Sequence, residues 1–398
     1  MATQAKTITR VLHGNAAAAH GVLLCRPDLV AAYPVTPQTE LLETLYGFSA
    51  QGLLDAEMMA VEGENSAISA LIGASAAGGR TFTATSSPGL AFMADAYFYV
   101  AGLRLPVVMA LVTREHASPG IVARGHQDAI LFKDHGWIQI FVETCQEILD
   151  SMVMAYRLAE DIEVLVPVNI CYESHYLSHM SQPVEIPEQS TVDAFLAPLQ
   201  KNERVRLCLE QPLTLCSYTP SPLFDEYRYK HCAACQCAKG KLDEIDKEFA
   251  TYFGRSYGGQ IEEYRTEDAE IVMVTMGSST GTARVVVDEK RNQGLKIGLI
   301  KVRMFRPFPR ERLAKALKGK DAIGVIDINV CFGWQCGHLF LELKANLGDL
   351  KATPPLLDFI GGLAGADITM KDIKRAVDTT IAAADGKPYQ EVTWLALE

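Results

Sequence analysis

Two carboxylates stand two residues apart in Val61-Glu62-Gly63-Glu64-Asn65-Ser66-Ala67, where a short apolar run stops and a small-residue helix begins. The run, Met58-Met59-Ala60-Val61, is too short for a helix and reads as a buried strand. The segment from Asn65 to Gly78 is mostly Ala, Ser, Gly, Leu and Ile. A helix with so little polar surface is expected to be packed on several sides. Either Glu62 or Glu64 can satisfy the free N–H groups and the dipole of that helix. The alternative is a carboxylate that faces a cleft and holds a cofactor proton, because burial against apolar walls tunes such groups.

Other reactive side chains fall at similar junctions: Thr36, Ser86-Ser87 and Thr113-Arg114 each follow an apolar run. An arginine at a strand end is suited to gripping a carboxylate in a fork. The competing reading of Arg114 is a surface ion pair with Glu115 or Asp134. The loop beyond it carries Glu115, His116, Ser118-Pro119-Gly120, Arg124, His126, Gln127 and Asp128, and is long for an α/β connection. Long loops of this kind are more often functional. Cys232-Ala-Ala-Cys235-Gln-Cys237 could seed a metal or iron–sulfur site, but no second C-x-x-C matches it. It reads rather as a helical segment with small buried side chains. Gly277-Ser-Ser-Thr-Gly281 can cradle a phosphate at a helix start, or be a tight turn; it lacks the P-loop lysine.

The elements that must position these residues alternate. Strands are expected at 29–33, 58–61, 81–85, 107–112, 137–142 and 164–171. Helices are expected at 38–47, from 65, at 90–103 and at 146–159. This rhythm means βαβ units and a parallel sheet. Runs such as Val107-Val108-Met109-Ala110-Leu111-Val112 are apolar throughout, as strands covered on both faces must be. In open parallel sheets ligands bind at the carboxyl ends of the strands, and Thr36, Glu64, Ser86-Ser87 and Thr113-Arg114 all fall there. From Met180 to about Arg265, Pro183, Pro187, Pro198, Pro212, Pro220 and Pro222 break the rhythm. That stretch reads as a crossover arm followed by a helix at 241–253. A second rhythm begins at Ala269, with strands at 271–275, 297–302 and 323–327 and helices at 283–293 and 310–317.

The chain has 398 residues, 48% of them hydrophobic and 21% charged, which suits a globular protein of roughly two or three domains. A net charge of −11 argues against nucleic-acid or anionic-membrane partners. The polar start, Met1 to Arg10, and the short run Ala16 to Leu24 provide no targeting or membrane-spanning segment, so a cytoplasmic protein is expected. Its 10 scattered cysteines are expected to be reduced thiols.

Several stretches carry a family resemblance: Tyr33-Pro34-Val35-Thr36-Pro37, Glu62 to Ala67, Gly73 to Gly78, Thr81 to Gly89, Gly102 to Pro106, Gly136 to Gln139, Phe253 to Tyr257, Glu262 to Gly277 and Arg303 to Pro309. In their order and spacing the chain resembles the α subunit of pyruvate:ferredoxin oxidoreductase and its 2-oxoacid relatives, over nearly its whole length. The resemblance implies a thiamine-diphosphate-binding, pyrimidine-type parallel-sheet domain with a wrapping arm over residues 1–262. A transketolase-C-terminal-like α/β domain follows over residues 263–398. It implies decarboxylation of a 2-oxoacid on thiamine diphosphate, electron transfer through [4Fe–4S] clusters to ferredoxin, and acyl transfer to coenzyme A. The β subunit would share the cofactor and supply the diphosphate and magnesium site. Further γ and ferredoxin-like δ subunits are implied, with the clusters held by partners.

By the same resemblance Glu64, rather than Glu62, is the carboxylate that shifts the aminopyrimidine to its imino form. Thr36 and Arg114 hold the substrate's carboxylate and keto groups, and Tyr33, Pro34 and Ser87 join Glu64 at the cofactor. Pyruvate is the leading substrate, with branched-chain or dicarboxylic 2-oxoacids and oxalate behind it. A non-catalytic assembly subunit of the same fold is the other reading. Where the family has a tryptophan and an aspartate, this chain has Ala123-Arg124-Gly125. Arg124 is then either a solvated surface residue or a second cation for a dicarboxylic substrate.

Overall fold

The computed structural model describes residues 7–196, 206–210, 212–348 and 353–397; the expected polar start over Met1–Lys6 and Pro198 of the arm lie outside them. The strands in chain order are β1 (Thr7–His13), β2 (Leu29–Ala32), β3 (Glu57–Ala60), β4 (Thr81–Thr85) and β5 (Val108–Thr113). Then come β6 (Ile138–Phe141), β7 (Val168–Glu173), β8 (Ser181–Pro187), β9 (Ile261–Tyr264) and β10 (Ile271–Thr275). The last are β11 (Ile297–Val302), β12 (Met304–Arg306), β13 (Ala322–Asp327), β14 (Leu356–Ile360) and β15 (Val392–Trp394).

The first sheet has the order β12-β6-β7-β5-β4-β2-β3, parallel except for β12. The second has the order β15-β14-β13-β10-β11-β9, parallel except for β9. β1 and β8 form a separate antiparallel ribbon. The pattern is that of two α/β units, and the sequence reading of parallel sheets holds. β9 spans the expected domain boundary at 262/263 and pairs in the second sheet. β12 crosses back and adds a strand to the first.

β5, at the centre of the first sheet, is apolar on both faces because helices cover both, whereas its neighbours β4 and β7 also bury Thr81, Thr83 and Asn169. On one face Gly14–Cys25 packs closely on Cys145–Ala159: a Cβ on Gly21 would lie 2.8 Å from Met152 Cβ. On the other face, Ile68, Leu71, Tyr97 and Val107 belong to one buried cluster with Val272, Val302 and Phe340, so a single core runs from the first unit into the second. Among the described residues no helix is long and apolar enough to cross a membrane.

Several expectations need correction. The run 58–61 is an edge strand, with Met59 37% exposed, rather than a buried one. The helix after it, Glu64–Ala76, buries Ala67, Ile68, Leu71, Ser75 and Ala76 but leaves Ser69 and Gly73 open, so it is packed on one side only. The single helix expected at 90–103 breaks at Met93 into Ser87–Phe92 and Ala94–Gly102. The strand expected from 164 starts at Val168, because Leu165 takes φ 42° and Pro167 cannot donate to a ladder. The helix expected at 241–253 runs from Ser221 to Phe253. Pro222 occupies its first turn, where a missing N–H costs nothing, so a residue read as a breaker is a starter. Cys232, Cys235 and Cys237 all lie on this helix, but Cys232 is exposed and the other two only half-buried.

Buried charge joins the two units. Glu147 is fully buried and receives Lys301 Nζ at 2.6 Å and Arg303 Nε at 2.8 Å. Arg303 Nη2 also donates to Ser151 Oγ at 2.7 Å. Burial pulls the Glu147 carboxyl upward, but Lys301 and Arg303 hold it below the usual range. A second knot forms around Glu173 at the end of β7. Arg124 is 2% exposed, so it is not a surface residue. Its Nη1 reaches Glu173 Oε2 at 3.3 Å and Ser278 Oγ at 3.2 Å; Nε and Nη2 donate to the carbonyls of Gly362 and Ala366. Its guanidinium lies 3.6 Å over the Tyr176 ring. Every arm of the fork is engaged within the protein, so Arg124 is not a spare cation for a second substrate carboxylate.

His126 Nε2 lies 3.1 Å from Glu173 Oε1, and the Ser278 N–H donates to the same oxygen at 2.9 Å. Gly277 has φ 75°, and a Cβ there would collide with this carboxylate. The Gly277–Gly281 turn therefore receives a carboxylate of its own chain and not a phosphate.

Two measurements follow from these knots. Glu147→Ala leaves two buried cations without their counter-charge and should cost about 3–5 kcal/mol, read from the denaturation midpoint. For Glu173, burial alone would raise the carboxyl, but His126, Arg124 and Ser278 hold it at about 2 against a usual 4.5. A depressed carboxyl contributes stability that is complete above the unfolded value and is lost as pH falls through the folded one. The contribution, about 3 kcal/mol, should fade between pH 4.5 and 2. Thermal midpoints of Glu173→Gln should vary less across this window than those of the wild type; parallel curves would refute the assignment.

Candidate functional site

β2 and β4 are neighbours from which the chain departs in opposite directions, first to β3 and then to β5. Such a reversal opens a crevice at the carboxyl ends of the strands. Glu64 follows β3, the loop 33–38 follows β2, Ser87 follows β4 and Arg114 follows β5. The four strand ends singled out in the sequence thus stand side by side.

Gly63, in extended conformation, caps the helix that opens with Glu64. Glu64 is 7% exposed, and among the described residues none donates a hydrogen bond to its carboxylate. Glu62 differs. It is exposed, and Ser66 Oγ donates to its Oε1 at 2.6 Å, which holds the carboxyl below its ordinary value. Glu62 is thus engaged by Ser66 at the surface, and no side chain caps the helix, while Glu64 is buried. Gly89 is required beside it: a Cβ there would overlap both the Glu64 carboxylate and the Thr85 hydroxyl.

Arg114 is 7% exposed. Its Nη1 donates to the Thr36 carbonyl at 2.5 Å, bridging the ends of β5 and β2. Asp134 pairs instead with Lys133 and Arg306, so the expected surface ion pair with it does not form. The Thr36 side chain and its neighbours Tyr33 and Pro34 are exposed. Their loop is held from beneath: Gln38 Nε2 donates to the Tyr33 carbonyl at 2.7 Å and Asn15 Nδ2 to the Pro37 carbonyl at 2.8 Å.

Asp128 organises the middle of the crevice. One oxygen accepts the N–H groups of Ser87 at 3.0 Å and Arg114 at 3.1 Å, and the other accepts Ala129 N–H at 2.8 Å. Burial outweighs these bonds and pushes its carboxyl up to about 6. Burial, aided by the charge of Asp128, pushes Glu115 to about 7. The Glu115 carboxyl fills the space that a side chain at Gly125 would need. Ser87 Oγ donates to the Glu115 carbonyl at 3.1 Å and lies 3.1 Å from His116 Nδ1.

Among the described residues, seven buried polar atoms at these strand ends have no protein partner: Gln38 Oε1, Thr85 Oγ1, Ser86 Oγ, Thr113 Oγ1, Arg114 Nε, Glu115 Oε1 and His116 Nε2. Buried polar groups are ordinarily paired, so their concentration in one crevice marks a place built for a polar ligand. Arg114 can grip an anion there, and Glu64 can hold a proton of a nitrogen heterocycle. The structuring roles of Asp128, Gln38, Asn15 and Gly89 were not read from the sequence; only Asp128 left a trace, as an acid in a long loop.

Comparison with known proteins follows the same lines. Residues 20–247 match the family described as pyruvate flavodoxin/ferredoxin oxidoreductase, thiamine diphosphate-binding. Residues 269–373 match pyruvate:ferredoxin oxidoreductase core domain II. The α subunit of NADH-dependent phenylglyoxylate dehydrogenase from Aromatoleum evansii is 44% identical, over 96% of this chain and 93% of that one. Pyruvate synthase subunit PorA from Methanosarcina barkeri is 43% identical, over 93% of this chain and 92% of that one. The fold is similar to 2-oxoglutarate:ferredoxin oxidoreductase from Magnetococcus marinus, with TM-score 0.73 and 21% identity; the match covers 94% of this chain and 65% of the length of that longer one. With strand order, crevice and both matched regions in agreement, the chain belongs to the pyruvate flavodoxin/ferredoxin oxidoreductase family.

Proposed function

We propose that the chain is the α-type subunit of a 2-oxoacid:ferredoxin oxidoreductase that takes pyruvate, working in the cytoplasm with partner subunits. The observation that carries this reading is the pairing of a buried, unengaged Glu64 with a buried Arg114 across the reversal in strand order. The residues present fit the pyrimidine end of thiamine diphosphate: a buried carboxylate, a neighbouring backbone turn at Ser87, and polar atoms awaiting partners. When bound, that cofactor supplies the nucleophilic carbon that makes decarboxylation of a 2-oxoacid accessible.

The chain's own groups have separate tasks. Glu64 would hold the pyrimidine end by sharing a proton with a ring nitrogen, which is the chemistry that would make the cofactor's amine basic. Arg114 holds the carboxylate that departs as CO₂, with its fork oriented by the Thr36 carbonyl. Asp128 fixes the backbone of both Ser87 and Arg114, and so positions the residues around them. Tyr33, Pro34 and Ser87 would line the cofactor, and Thr36 would meet the substrate. Full engagement of Arg124 favours a monocarboxylic substrate over a dicarboxylic one. A series of pyruvate, branched-chain 2-oxoacids, phenylglyoxylate and 2-oxoglutarate in a coenzyme-A-dependent dye-reduction assay identifies the substrate.

The crevice is open on one side. Met59 of edge strand β3 is 37% exposed and Phe92, whose ring abuts Gly63, is 64% exposed. A β-type subunit with the diphosphate and magnesium site would close that wall. The β-type and ferredoxin-like subunits would carry the [4Fe–4S] clusters, and a γ-type subunit would complete the complex. Electrons then pass to ferredoxin, and the acyl group to coenzyme A.

In the reconstituted complex, Glu64→Gln should lower turnover by roughly a hundredfold, the usual scale of an acid–base group, with folding unchanged. Glu62→Gln should do far less. The reverse ranking would reassign the two carboxylates. Arg114→Lys keeps the charge but loses the planar fork. It should reduce kcat/KM by roughly ten- to two-hundredfold, the loss of a charge-assisted hydrogen bond. An unchanged kcat/KM for the best substrate would remove Arg114 from the site.

A further inference from the structure

The Ser87 hydroxyl has one proton and two neighbours at 3.1 Å, the Glu115 carbonyl oxygen and His116 Nδ1. A carbonyl can only accept, so the proton goes there. His116 Nδ1 must then carry its own proton and donate it to the Ser87 oxygen. In a neutral imidazole this leaves Nε2 bare, as an acceptor. Burial and the charge of Arg114 both pull the ring pKa down, which favours the neutral form. Ser87 is fixed, because its N–H is tied to Asp128 and its φ of 26° is one that few side chains adopt. Nε2 itself is shielded from solvent, and among the described residues no protein donor reaches it.

We propose that His116 is a binding residue of the crevice, presenting an unprotonated Nε2 as hydrogen-bond acceptor to an N–H, O–H or S–H donor of a molecule bound beside Arg114. The proposal rests on the reading of the crevice as a thiamine-dependent 2-oxoacid site. It divides labour between adjacent residues: Arg114 is a donor and takes the anion, whereas a bare imidazole nitrogen repels a carboxylate oxygen. A 2-oxoacid anion has no donor to offer. The donor is therefore the exocyclic amine of the cofactor's pyrimidine or the thiol of coenzyme A. The role also gives Ser87 a purpose, since without its oxygen the ring could exchange tautomers and turn a donor toward the ligand.

The test uses the purified complex of this chain with its partner subunits, and three substitutions: His116→Leu, His116→Gln and Ser87→Ala. The Kd for thiamine diphosphate and the KM values for coenzyme A and for the 2-oxoacid are measured, with thermal midpoints to verify folding. His116→Leu should weaken either the cofactor or coenzyme A by roughly five- to hundredfold, the effect of leaving a buried donor unpaired. The 2-oxoacid KM should stay within about twofold, since that ligand pairs with donors. His116→Gln, whose amide oxygen reaches about as far as Nε2, should recover most of the loss, and Ser87→Ala should show part of it. A shift in the cofactor Kd assigns the donor to the pyrimidine amine; a shift in the coenzyme A KM assigns it to the thiol. Unchanged values in His116→Leu would overturn the proposal, as would equal losses in the Leu and Gln variants, which would make the ring structural. A wild-type complex without turnover on any 2-oxoacid would instead sink the functional reading, while the cofactor Kd would still report on His116.

Discussion

Buried carboxylates of the first α/β unit, tied to groups of the second, hold this structure together. Glu147 lies on a helix of the first α/β unit and receives Lys301 and Arg303 from the end of β11. Glu173 lies at the end of β7 and draws Arg124, His126 and Ser278 onto itself. A buried charge without its partner is far costlier than a buried pair is favourable. The two units consequently cannot separate without exposing or stranding several charges at once. The shared apolar core beneath them adds a non-directional attraction, and the ion knots set the register.

The Glu173 knot also reaches into the crevice. The loop from Arg114 to Asp128 is anchored at one end by β5 and at the other by Arg124 and His126. Between these anchors it folds back on itself, with Glu115 N–H donating to the Ala123 carbonyl at 3.2 Å. A long loop is thereby given one conformation, which a site needs when it must hold a small anion at a fixed distance from a reacting atom. Asp128 extends the order to Ser87, so that the ends of β4 and β5 share one carboxylate. Two acids with carboxyls near 6 and 7 then lie in the same crevice, Asp128 and Glu115, each raised chiefly by burial. Groups perturbed in this way cluster where protons are moved.

The chain's reactive order was legible in its sequence to a large extent. Apolar runs of four to six residues, separated by Gly, Pro and small-residue segments, identify the parallel strands, because a strand covered on both faces has no polar side to show. The strand ends followed, and with them Thr36, Glu64, Ser87 and Arg114. These local signals depend only on neighbouring residues. Boundaries failed where a residue has two local meanings. Pro222 can break a helix or begin one, and only the 33-residue helix Ser221–Phe253 decides which.

Burial and partnership were decided by tertiary structure. Glu62 and Glu64 have the same side chain and nearly the same neighbours; one is buried with Gly89 close against its carboxylate, while the other is exposed and bonded to Ser66. The apolar run beside them is an edge because β3 has no further neighbour, a fact of sheet order and not of composition. Arg124 looked like a solvated loop residue, yet its partners lie 49 to 242 positions away in the chain. Sequence alone determined which chemical groups this protein has at its strand ends. Which of them meet, and which are stripped of water, was settled only when distant segments packed, because desolvation and pairing are properties of the folded surroundings rather than of the residue.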